Sequence, residues 1–418
     1  MTISPRLFVS SVARATRRGA LLVTLEGAGS SAAALAAARP LTLSLPLAQL
    51  RDACGCGECR DARTGQRRAD TLAAPAAARR AAATPQGELA VEWRDAHASV
   101  FGARELRALA RSGEGEGGGD GGRGGDAASG AAASRVVWTA ATLPRSAVAH
   151  AEWMASDAAL LRGLRALRDC GFVRVEGVPP SEAGTAAALR RIAPPMRTIY
   201  GEGAWRTEVL AVGDARNTDG AFGRAALPLH TDGCYMREPP GLQAFHALRA
   251  DAGGGGASLL ADGAAVAASV RAASAGAWRL LSDEGRLRVA YAHVDAEHEL
   301  RAERGVFAVG ARGEFRAVCF NDADRVGAPL LGRGASAAAA LAALRVLNAA
   351  LRDERLVARF VLEPGTLLVF DNSRVLHGRE AIAGAGRVLA GAYISADDWR
   401  SRLRMLERSS AEGGAEEE

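Results

Sequence analysis

Two histidines and one aspartate have the residue types and the spacing of a metal site. His230 and Asp232 are separated by a single residue, and His377 follows far downstream. Two imidazoles and one carboxylate can occupy one face of an octahedral Fe(II) ion and leave three positions for a co-substrate and O2. The pattern therefore predicts oxidation chemistry at a non-haem iron.

The elements around these residues must bring them to one ion. On an extended strand, residues i and i+2 point to the same side, so His230 and Asp232 can share a metal. The third ligand must come from a distant strand. Residues 367–370 have the composition of a buried strand, and residues 371–373 that of the turn that delivers His377.

Other histidines show how little a bare His-x-Asp pattern decides. The same spacing recurs at His293 and Asp295, with His298 close behind, inside a stretch dense with charge. Such a stretch predicts a solvated loop or helix face. His246 lies in an apolar segment and is predicted as a packed strand histidine.

Composition limits the alternatives. The chain has 418 residues, enough for a sizeable core and two domains, and it has no apolar run long enough to cross a membrane. Its formal charge of +5 comes without a basic patch interleaved with aromatics, so no nucleic-acid partner is predicted. The sequence contains no lysine, which excludes a Walker phosphate loop and a pyridoxal Schiff base.

The N-terminus is basic. Its first 25 residues contain no acid, since Glu26 is the first, and they contain Arg6, Arg14, Arg17 and Arg18. This character predicts a transit peptide over residues 1–25 and import into the mitochondrion. The alternative is an ordinary disordered N-terminus of a cytoplasmic protein.

A second group of candidate metal ligands lies in the N-terminal third. Cys54, Cys56 and Cys59 fall within six residues, in a turn-rich setting, and His97 follows a predicted strand. Three thiolates and one imidazole suit a closed tetrahedral Zn(II) site, which would fasten a small domain. The alternative is three reduced cysteines without a metal.

Composition also sets the domain boundaries. Residues 113–134 are nearly all Gly, Ala, Ser, Asp and Glu, which predicts a flexible linker. The linker separates an N-terminal zinc-binding domain, residues 40–112, from a larger domain, residues 135–408. Residues 409–418 are predicted as a disordered acidic tail.

Within the larger domain, apolar spacing predicts helices over residues 157–170 and 337–352. Short strands are predicted around residues 172–175, 243–248, 258–260, 306–309, 315–320, 360–362 and 387–394. Many short strands with a few helices predict a mainly β fold, a jelly-roll barrel with helical support, beside a small α+β zinc domain.

Four segments resemble a known family. They are HTDGCY at 230–235, PPGLQAFH at 239–246, GGASLLADG at 255–263 and FDNSRVLHGRE at 370–380. Together they are similar to the carnitine-pathway dioxygenases, trimethyllysine dioxygenase and gamma-butyrobetaine dioxygenase. The cysteine cluster with His97 matches the zinc domain of that family, so the resemblance spans most of residues 40–408.

The resemblance implies a double-stranded β-helix that binds Fe(II) through His230, Asp232 and His377. It implies 2-oxoglutarate and O2 as co-substrates, with ascorbate as reductant. Arg387 and Ser258 occupy positions where the family binds the distal carboxylate of 2-oxoglutarate, and a guanidinium fork suits that carboxylate. The alternative role for Arg387 is that of an exposed strand arginine. A homodimer is also implied.

The family's substrates carry a trimethylammonium group, which aromatic faces bind best. Tyr200, Trp205, Phe222 and Tyr393 occupy positions that resemble the family's aromatic cage. Trp205 lies one residue farther from Tyr200 than the family pattern, and Phe222 replaces a usual tyrosine. Each of the four could instead be a core residue.

Several features favour one member of the family. Tyr235, residues 198–201, residues 321–325 and the transit-like N-terminus resemble trimethyllysine dioxygenase, which hydroxylates N6,N6,N6-trimethyllysine at C3 in the first step of carnitine biosynthesis. Residues 239–241 favour gamma-butyrobetaine dioxygenase, the alternative. Two other classes stay open, namely a non-catalytic jelly-roll binding module and a cupin-type hydrolase or isomerase.

Overall fold

The first hundred residues fold into a small domain of two antiparallel sheets. The computed structural model describes residues 6–14, 19–28, 40–62, 65–111, 135–201, 203–208, 223–283, 285–332, 334–384 and 387–415. One sheet has the order β1-β2-β3 and the other β4-β5-β6. The elements are β1 Arg6–Arg14, β2 Ala20–Ala28, β3 Leu41–Pro46, α1 Leu47–Asp52, β4 Ala78–Ala83, β5 Leu89–Trp93, β6 Ala98–Phe101 and α2 Ala103–Arg111.

The predicted transit peptide coincides with strands of this domain. Val9 in β1 and Leu21 in β2 are buried in one apolar cluster with Val91, Trp93 and Phe101 of the second sheet. The domain therefore begins well before residue 40, and the buried apolar residues of β1 and β2 explain why. Cleavage after residue 25 would remove β1 and most of β2 from the core.

The larger domain contains the remaining elements. In chain order, from residue 147 to residue 294, they are β7 Ala147–Ala149, α3 His150–Ala155, α4 Asp157–Cys170, β8 Phe172–Glu176, α5 Glu182–Arg190, β9 Trp205–Glu208, β10 Leu227–His230, β11 Leu242–Arg249, β12 Ser258–Asp262, α6 Gly263–Ala273, α7 Ala275–Leu281 and β13 Leu287–Val294. They continue with β14 Glu299–Arg304, β15 Phe307–Val309, β16 Phe315–Val318, β17 Leu330–Leu331, α8 Ala337–Leu351, β18 Ala358–Phe360, β19 Thr366–Asp371, β20 Val375–Arg379, β21 Val388–Ile394 and α9 Ala396–Ala415.

Two sheets form the centre of this domain, which is a mixed, sheet-rich fold with helices. One has the order β10-β20-β12-β18, and the other has the order β7-β8-β19-β11-β21-β9. Alternation along β19 divides its side chains between two layers. Leu367 and Val369 pack with α3, α4, α5 and α9, whereas Leu368 and Phe370 lie in the apolar cluster that includes residues of the four-stranded sheet.

The strongest periodic segments were predicted correctly. The helix predicted over residues 157–170 is α4, which begins after the cap Ser156 and ends at Gly171 in the left-handed conformation. The strand predicted at residues 360–362 was misplaced by two residues. It is β18, Ala358–Phe360, because its register is set by pairing of Ser258 with Phe360.

The C-terminal segment differs from its prediction. Helix α9 continues beyond residue 408 to Ala415, where a disordered acidic tail was expected. Trp399, Leu403 and Leu406 of α9 are buried against the six-stranded sheet, and this docking holds the helix. Residues 416–418 and the predicted linker lie outside the described residues. Among the described helices, none combines the length and the apolarity needed to cross a membrane.

His246 is the packed strand histidine that its segment predicted. It is fully buried in β11, and its Nδ1–H donates to Thr185 Oγ1 over 2.8 Å. The Thr185 hydroxyl itself donates to Ser181 O. Burial lowers the pKa of His246 to about 4.

The lowered pKa of His246 predicts a pH-dependent stability. Between pH 6.5 and 4 the unfolded chain binds a proton that the folded chain does not, so the free energy of unfolding falls as pH is lowered through this range. We expect His246→Asn, which keeps a donor toward Thr185 but does not titrate, to remove about 2 kcal/mol of that dependence. Thermal unfolding of wild type and His246→Asn at pH 4.5 and 7.5 measures the change in the free energy of unfolding between the two pH values. An equal change in both proteins would contradict the expectation.

Candidate metal centre

The sheet pairing brings the three predicted iron ligands together. His230 ends β10 and lies directly opposite His377 of β20, while Asp232 follows in the next loop. The Nε2 atoms of His230 and His377 lie 3.2 and 3.8 Å from the two carboxylate oxygens of Asp232. One ligand atom from each residue can be chosen so that all lie within 4.8 Å of one another.

The donor set fits a divalent metal. An octahedron with bonds of about 2.1 Å has edges of about 3.0 Å, close to the shorter of the two separations. His230 Nδ1–H donates to Pro228 O over 2.7 Å, which leaves the lone pair of Nε2 facing Asp232. A fixed tautomer of this kind is typical of metal-binding histidines.

The protonation states of Asp232 and His377 suit metal binding, whereas the charge of Asp232 outweighs burial and raises the pKa of His230. Burial would raise the pKa of Asp232, but the neighbouring imidazoles of His377 and His230 outweigh it and hold this pKa below its usual range. Burial and the neighbouring His230 lower the pKa of His377 to about 3. An ionised carboxylate and a neutral imidazole are the forms that bind metals.

Asn372 holds the loop that carries Asp232. Its Oδ1 accepts the backbone N–H of Asp232 over 2.9 Å, and its Nδ2 donates to the carbonyl oxygens of Asp232 and Pro240. The side chain is buried in the turn between β19 and β20. The sequence placed Asn372 in a turn, but no local pattern shows that it acts on a residue 140 positions earlier.

Tyr393 joins the aromatic group to the metal centre. Its hydroxyl donates to Asp232 Oδ2 over 2.7 Å, and its ring centroid lies 4.6 Å from that of Trp205. Trp205 stacks in turn on Tyr200 at 4.8 Å. Three of the four predicted cage residues therefore form one cluster. The fourth, Phe222, lies outside the described residues.

A single cavity of about 1040 Å³ contains the candidate ligands and the aromatic cluster. Its lining includes His230, Asp232 and His377, the predicted co-substrate residues Ser258 and Arg387, and the aromatic residues Tyr200, Trp205 and Tyr393. Eight predicted site residues thus line one cavity. The cavity is large enough for two small molecules side by side.

The Arg387 end of the cavity is electropositive. Arg387 is nearly buried, and Arg379, two residues after His377 on β20, also lines the cavity. Burial and the charge of Arg387 lower the pKa of Arg379 to about 10. Arg379 donates to the carbonyl oxygens of Gly223 and Ala225. Two guanidinium groups at one end favour a bound carboxylate, and the i+2 spacing from His377 is the sequence signal for Arg379.

The second His-x-Asp pattern lies on the surface. His293 is the next-to-last residue of β13, and Asp295 in the hairpin turn accepts hydrogen bonds from the backbone N–H groups of Glu297 and His298. The prediction of a solvated loop or helix face is confirmed for the exposed Asp295, but residues Glu299–Arg304 of the charged stretch form strand β14. His293 also lines the outer part of the cavity and packs on Tyr235.

The cysteine cluster forms a second candidate metal site. His97 Nε2 lies 3.3, 3.6 and 3.5 Å from the Sγ atoms of Cys54, Cys56 and Cys59. Zinc bonds of about 2.3 Å to sulfur and 2.0–2.1 Å to nitrogen give tetrahedral nitrogen–sulfur edges of roughly 3.5 Å. The four donors therefore fit a tetrahedral Zn(II) ion.

Polar neighbours support that site. Glu58 Oε2 lies 3.1 Å from His97 Nδ1, in the position of the carboxylates that orient metal-binding histidines. The buried Arg51 donates to Cys59 Sγ over 3.4 Å and pairs with Asp95 at 3.1 Å. Three thiolates with one Zn(II) would carry one net negative charge, and the Arg51 guanidinium lies beside them while it also pairs with Asp95.

Comparisons with known proteins agree with this geometry. Residues 140–393 match the family model "Taurine catabolism dioxygenase TauD, TfdA family". Residues 39–107 match the model "Gamma-butyrobetaine hydroxylase-like, N-terminal". The first match covers more than half of the chain and contains all three candidate iron ligands, and the second contains the four candidate zinc ligands.

Three relatives match most of the chain. A mitochondrial trimethyllysine dioxygenase of Gallus gallus is 29% identical over 85% of this chain and 82% of its own length. A gamma-butyrobetaine dioxygenase of Pseudomonas sp. (strain AK-1) is 30% identical over 86% of this chain and 89% of its own length. A dioxygenase of Strobilurus tenacellus is 28% identical over 88% of this chain and 86% of its own length. The chain therefore belongs to the TauD/TfdA family and, within it, to the trimethyllysine and gamma-butyrobetaine dioxygenases, and it is a 2-oxoglutarate-dependent dioxygenase.

Proposed function

We propose that this enzyme hydroxylates N6,N6,N6-trimethyllysine to 3-hydroxy-trimethyllysine, a step of carnitine biosynthesis. The observation that carries the proposal is one cavity that joins the His-Asp-His group, a cationic end and an aromatic cluster. These three parts suit a metal, a dicarboxylate co-substrate and a trimethylammonium group, respectively. The relatives named above support a trimethylammonium substrate.

In this proposal His230, Asp232 and His377 hold Fe(II), and the two central sheets are the walls of a double-stranded β-helix. When bound, Fe(II) supplies the oxidation of 2-oxoglutarate by O2 to succinate and CO2 and the hydroxylation of the substrate. The protein contributes position: Asn372 fixes the loop of Asp232, and Tyr393 fixes the second oxygen of its carboxylate. Ascorbate serves as reductant.

Arg387 and Ser258 are assigned to the distal carboxylate of 2-oxoglutarate, with Arg379 adding positive potential beside them. We expect Arg387→Met to raise the KM for 2-oxoglutarate by about 30-fold, because a charged bidentate hydrogen bond is lost. The rate of succinate formation, measured as a function of 2-oxoglutarate concentration, gives this KM. Arg316→Met, at an exposed arginine of β16, is the control, and an unchanged KM for Arg387→Met would contradict the assignment.

Trp205, whose ring lies between those of Tyr200 and Tyr393, is assigned to bind the trimethylammonium group. A desolvated cation–π contact contributes about 2 kcal/mol, so Trp205→Ala is expected to raise the KM for the amine by about 30-fold. Trp205→Phe keeps an aromatic face and is expected to lose less. The KM for 2-oxoglutarate should change little in either variant, and an equal rise in both KM values would contradict the role.

The second candidate substrate is gamma-butyrobetaine, favoured by residues 239–241 and by the Pseudomonas relative. The deciding experiment incubates the protein with Fe(II), ascorbate and 2-oxoglutarate and adds either amine. Mass spectrometry of the hydroxylated product and succinate assays are expected to show faster turnover of trimethyllysine. Faster turnover of gamma-butyrobetaine would reverse the choice. No amine-dependent succinate would instead favour a non-catalytic binding module.

The proposal includes a structural Zn(II) held by Cys54, Cys56, Cys59 and His97, and a homodimer. It also includes a mitochondrial location, supported by the basic N-terminus and by the name of the Gallus gallus relative. Because β1 begins at Arg6, cleavage beyond that residue would remove strand residues that the domain core packs. N-terminal sequencing of the organellar protein shows whether such cleavage occurs.

A further inference from the structure

One wall of the cavity comes from a loop that contacts the N-terminal domain. Asn321, Asp322, Ala323 and Asp324 line the cavity, and Arg325 follows them. Residues 66–70 of the N-terminal domain line the same cavity. The substrate space is therefore bounded by both domains, and the 321–325 loop lies where they meet.

A buried ion pair joins this loop to the N-terminal domain. Arg325 Nη1 and Nη2 donate to the two carboxylate oxygens of Asp52 over 2.7 and 2.6 Å, and both side chains are at most 2% exposed. The third donor, Arg325 Nε, binds Asp322 Oδ1 over 2.8 Å. A single guanidinium thus holds a cavity-lining carboxylate of its own loop and a carboxylate of the other domain.

Further contacts fix the rest of the loop. The backbone N–H of Arg67 donates to Ala323 O over 2.9 Å, and its Nε donates to Arg325 O. Gln66 Nε2 donates to Asp324 Oδ1 over 3.2 Å. Four of the five loop residues are therefore held by Asp52, Gln66, Arg67 or Arg325.

The charges in this cluster balance. The cluster holds three guanidinium groups, of Arg60, Arg67 and Arg325, and three carboxylates, of Asp52, Asp322 and Asp324. Asp52 also accepts from Arg67 and from the Thr71 hydroxyl. A buried ion pair is weak evidence for added stability, because apolar residues of similar volume are often as stable. What a fully satisfied bidentate pair does provide is one defined geometry.

We propose that Asp52 and Arg325 are positioning residues through which the N-terminal domain fixes the 321–325 loop against the cavity and sets the affinity for the amine substrate. Asp52 ends α1, two residues before Cys54, so the order of the cysteine cluster fixes the position of the carboxylate. The iron ligands and Arg387 lie on other elements, but Thr231, between His230 and Asp232, exchanges two hydrogen bonds with Phe320, directly before the loop. Only the identity of the amine rests on the proposed function.

The test uses Arg325→Met in the full-length protein, since Asp52 then keeps Arg67 and Thr71 as partners. We expect the KM for the amine to rise about 10-fold, with less than twofold change in the KM for 2-oxoglutarate. Hydrogen exchange of peptides that span residues 319–328 should become faster, while peptides that contain His377 keep their protection. Arg325→Lys, which keeps the charge but not the fork, should lie between wild type and Arg325→Met.

Gln49→Ala is the matched control. Gln49 is buried in α1, and its Nε2 donates to Leu109 O over 2.8 Å within the N-terminal domain. Its loss lowers the stability of that domain without touching the loop, so the amine KM should stay within twofold of wild type. If the amine KM of Gln49→Ala rose as much as that of Arg325→Met, general destabilisation would explain both effects, and the proposal would be overturned.

Two more outcomes overturn it: unchanged exchange of residues 319–328 in Arg325→Met, or faster exchange with an unchanged amine KM. If Arg325→Met does not fold, Gln66→Ala replaces it, with an expected amine KM about 3-fold above wild type and faster exchange of the same peptides. An unchanged KM in that variant overturns the proposal. A wild-type protein that turned over neither amine would refute the proposed function, and the exchange measurements would still decide whether the pair positions the loop.

Discussion

Asp232→Ala is expected to form no measurable succinate, a loss of at least about 1000-fold. Asp232 supplies the carboxylate of the His-Asp-His group, and its removal leaves two neutral imidazoles to hold a divalent ion. Loss of even the partners that orient metal ligands lowers affinity by about 10–100-fold, so loss of a ligand should cost more. Succinate assays at saturating 2-oxoglutarate, with Fe(II) binding measured by equilibrium dialysis, check the result.

Asn372→Ala is the matched variant for this experiment. It keeps all three ligands but releases the loop of Asp232, because the hydrogen bonds of Asn372 to Asp232 and Pro240 are lost. We expect a 10–100-fold weaker affinity for Fe(II), and excess Fe(II) should restore turnover. Excess Fe(II) should not rescue Asp232→Ala. Turnover by Asp232→Ala within tenfold of wild type would show that the metal is held elsewhere.

The metal centre could be predicted from the sequence because its signals are local. The apolar segments before His230 and His377 predicted two strands. The prediction that His230 and Asp232 share one strand was wrong, because β10 ends at His230 and Asp232 lies in the loop that follows. Sheet pairing then needed only to bring the two strands side by side, as the pairing of His230 with His377 shows. Helix α4 was predictable for the same reason, since its apolar spacing, cap and terminal glycine are adjacent in sequence.

Contacts between distant residues could not be predicted in this way. Arg325 and Asp52 are 273 positions apart, and no local sequence pattern links them. Their burial follows from the docking of two domains. The Tyr393 hydroxyl likewise donates to Asp232, which lies 161 positions earlier in the chain. The sequence indicated only that the ring of Tyr393 resembles a residue of the aromatic cage. Strands β1 and β2 were missed because the arginines of residues 6–18 and the lack of acids before Glu26 outweighed the apolar positions that the domain core buries.

Removal of zinc is the second change with a large expected effect. We expect Cys59→Ala protein to contain no zinc after purification, against one equivalent in wild type, and its N-terminal domain to unfold. Structural zinc contributes about 10 kcal/mol or more to folding in small domains, which exceeds the stability of most domains of this size. Metal analysis and limited proteolysis of residues 40–111 measure the two effects.

The same variant tests whether the proposed N-terminal zinc site affects the substrate cavity. Because Cys59 contacts Arg51, and the adjacent Asp52 holds Arg325, unfolding of the cluster should release the 321–325 loop and raise the amine KM at least as much as Arg325→Met does. Cys170→Ala, at a half-buried cysteine that ends α4, is the control and should keep both zinc and KM. Wild-type protein that lacks zinc yet resists proteolysis over residues 40–111 would contradict the structural role, because the domain would then be stable through its apolar core alone.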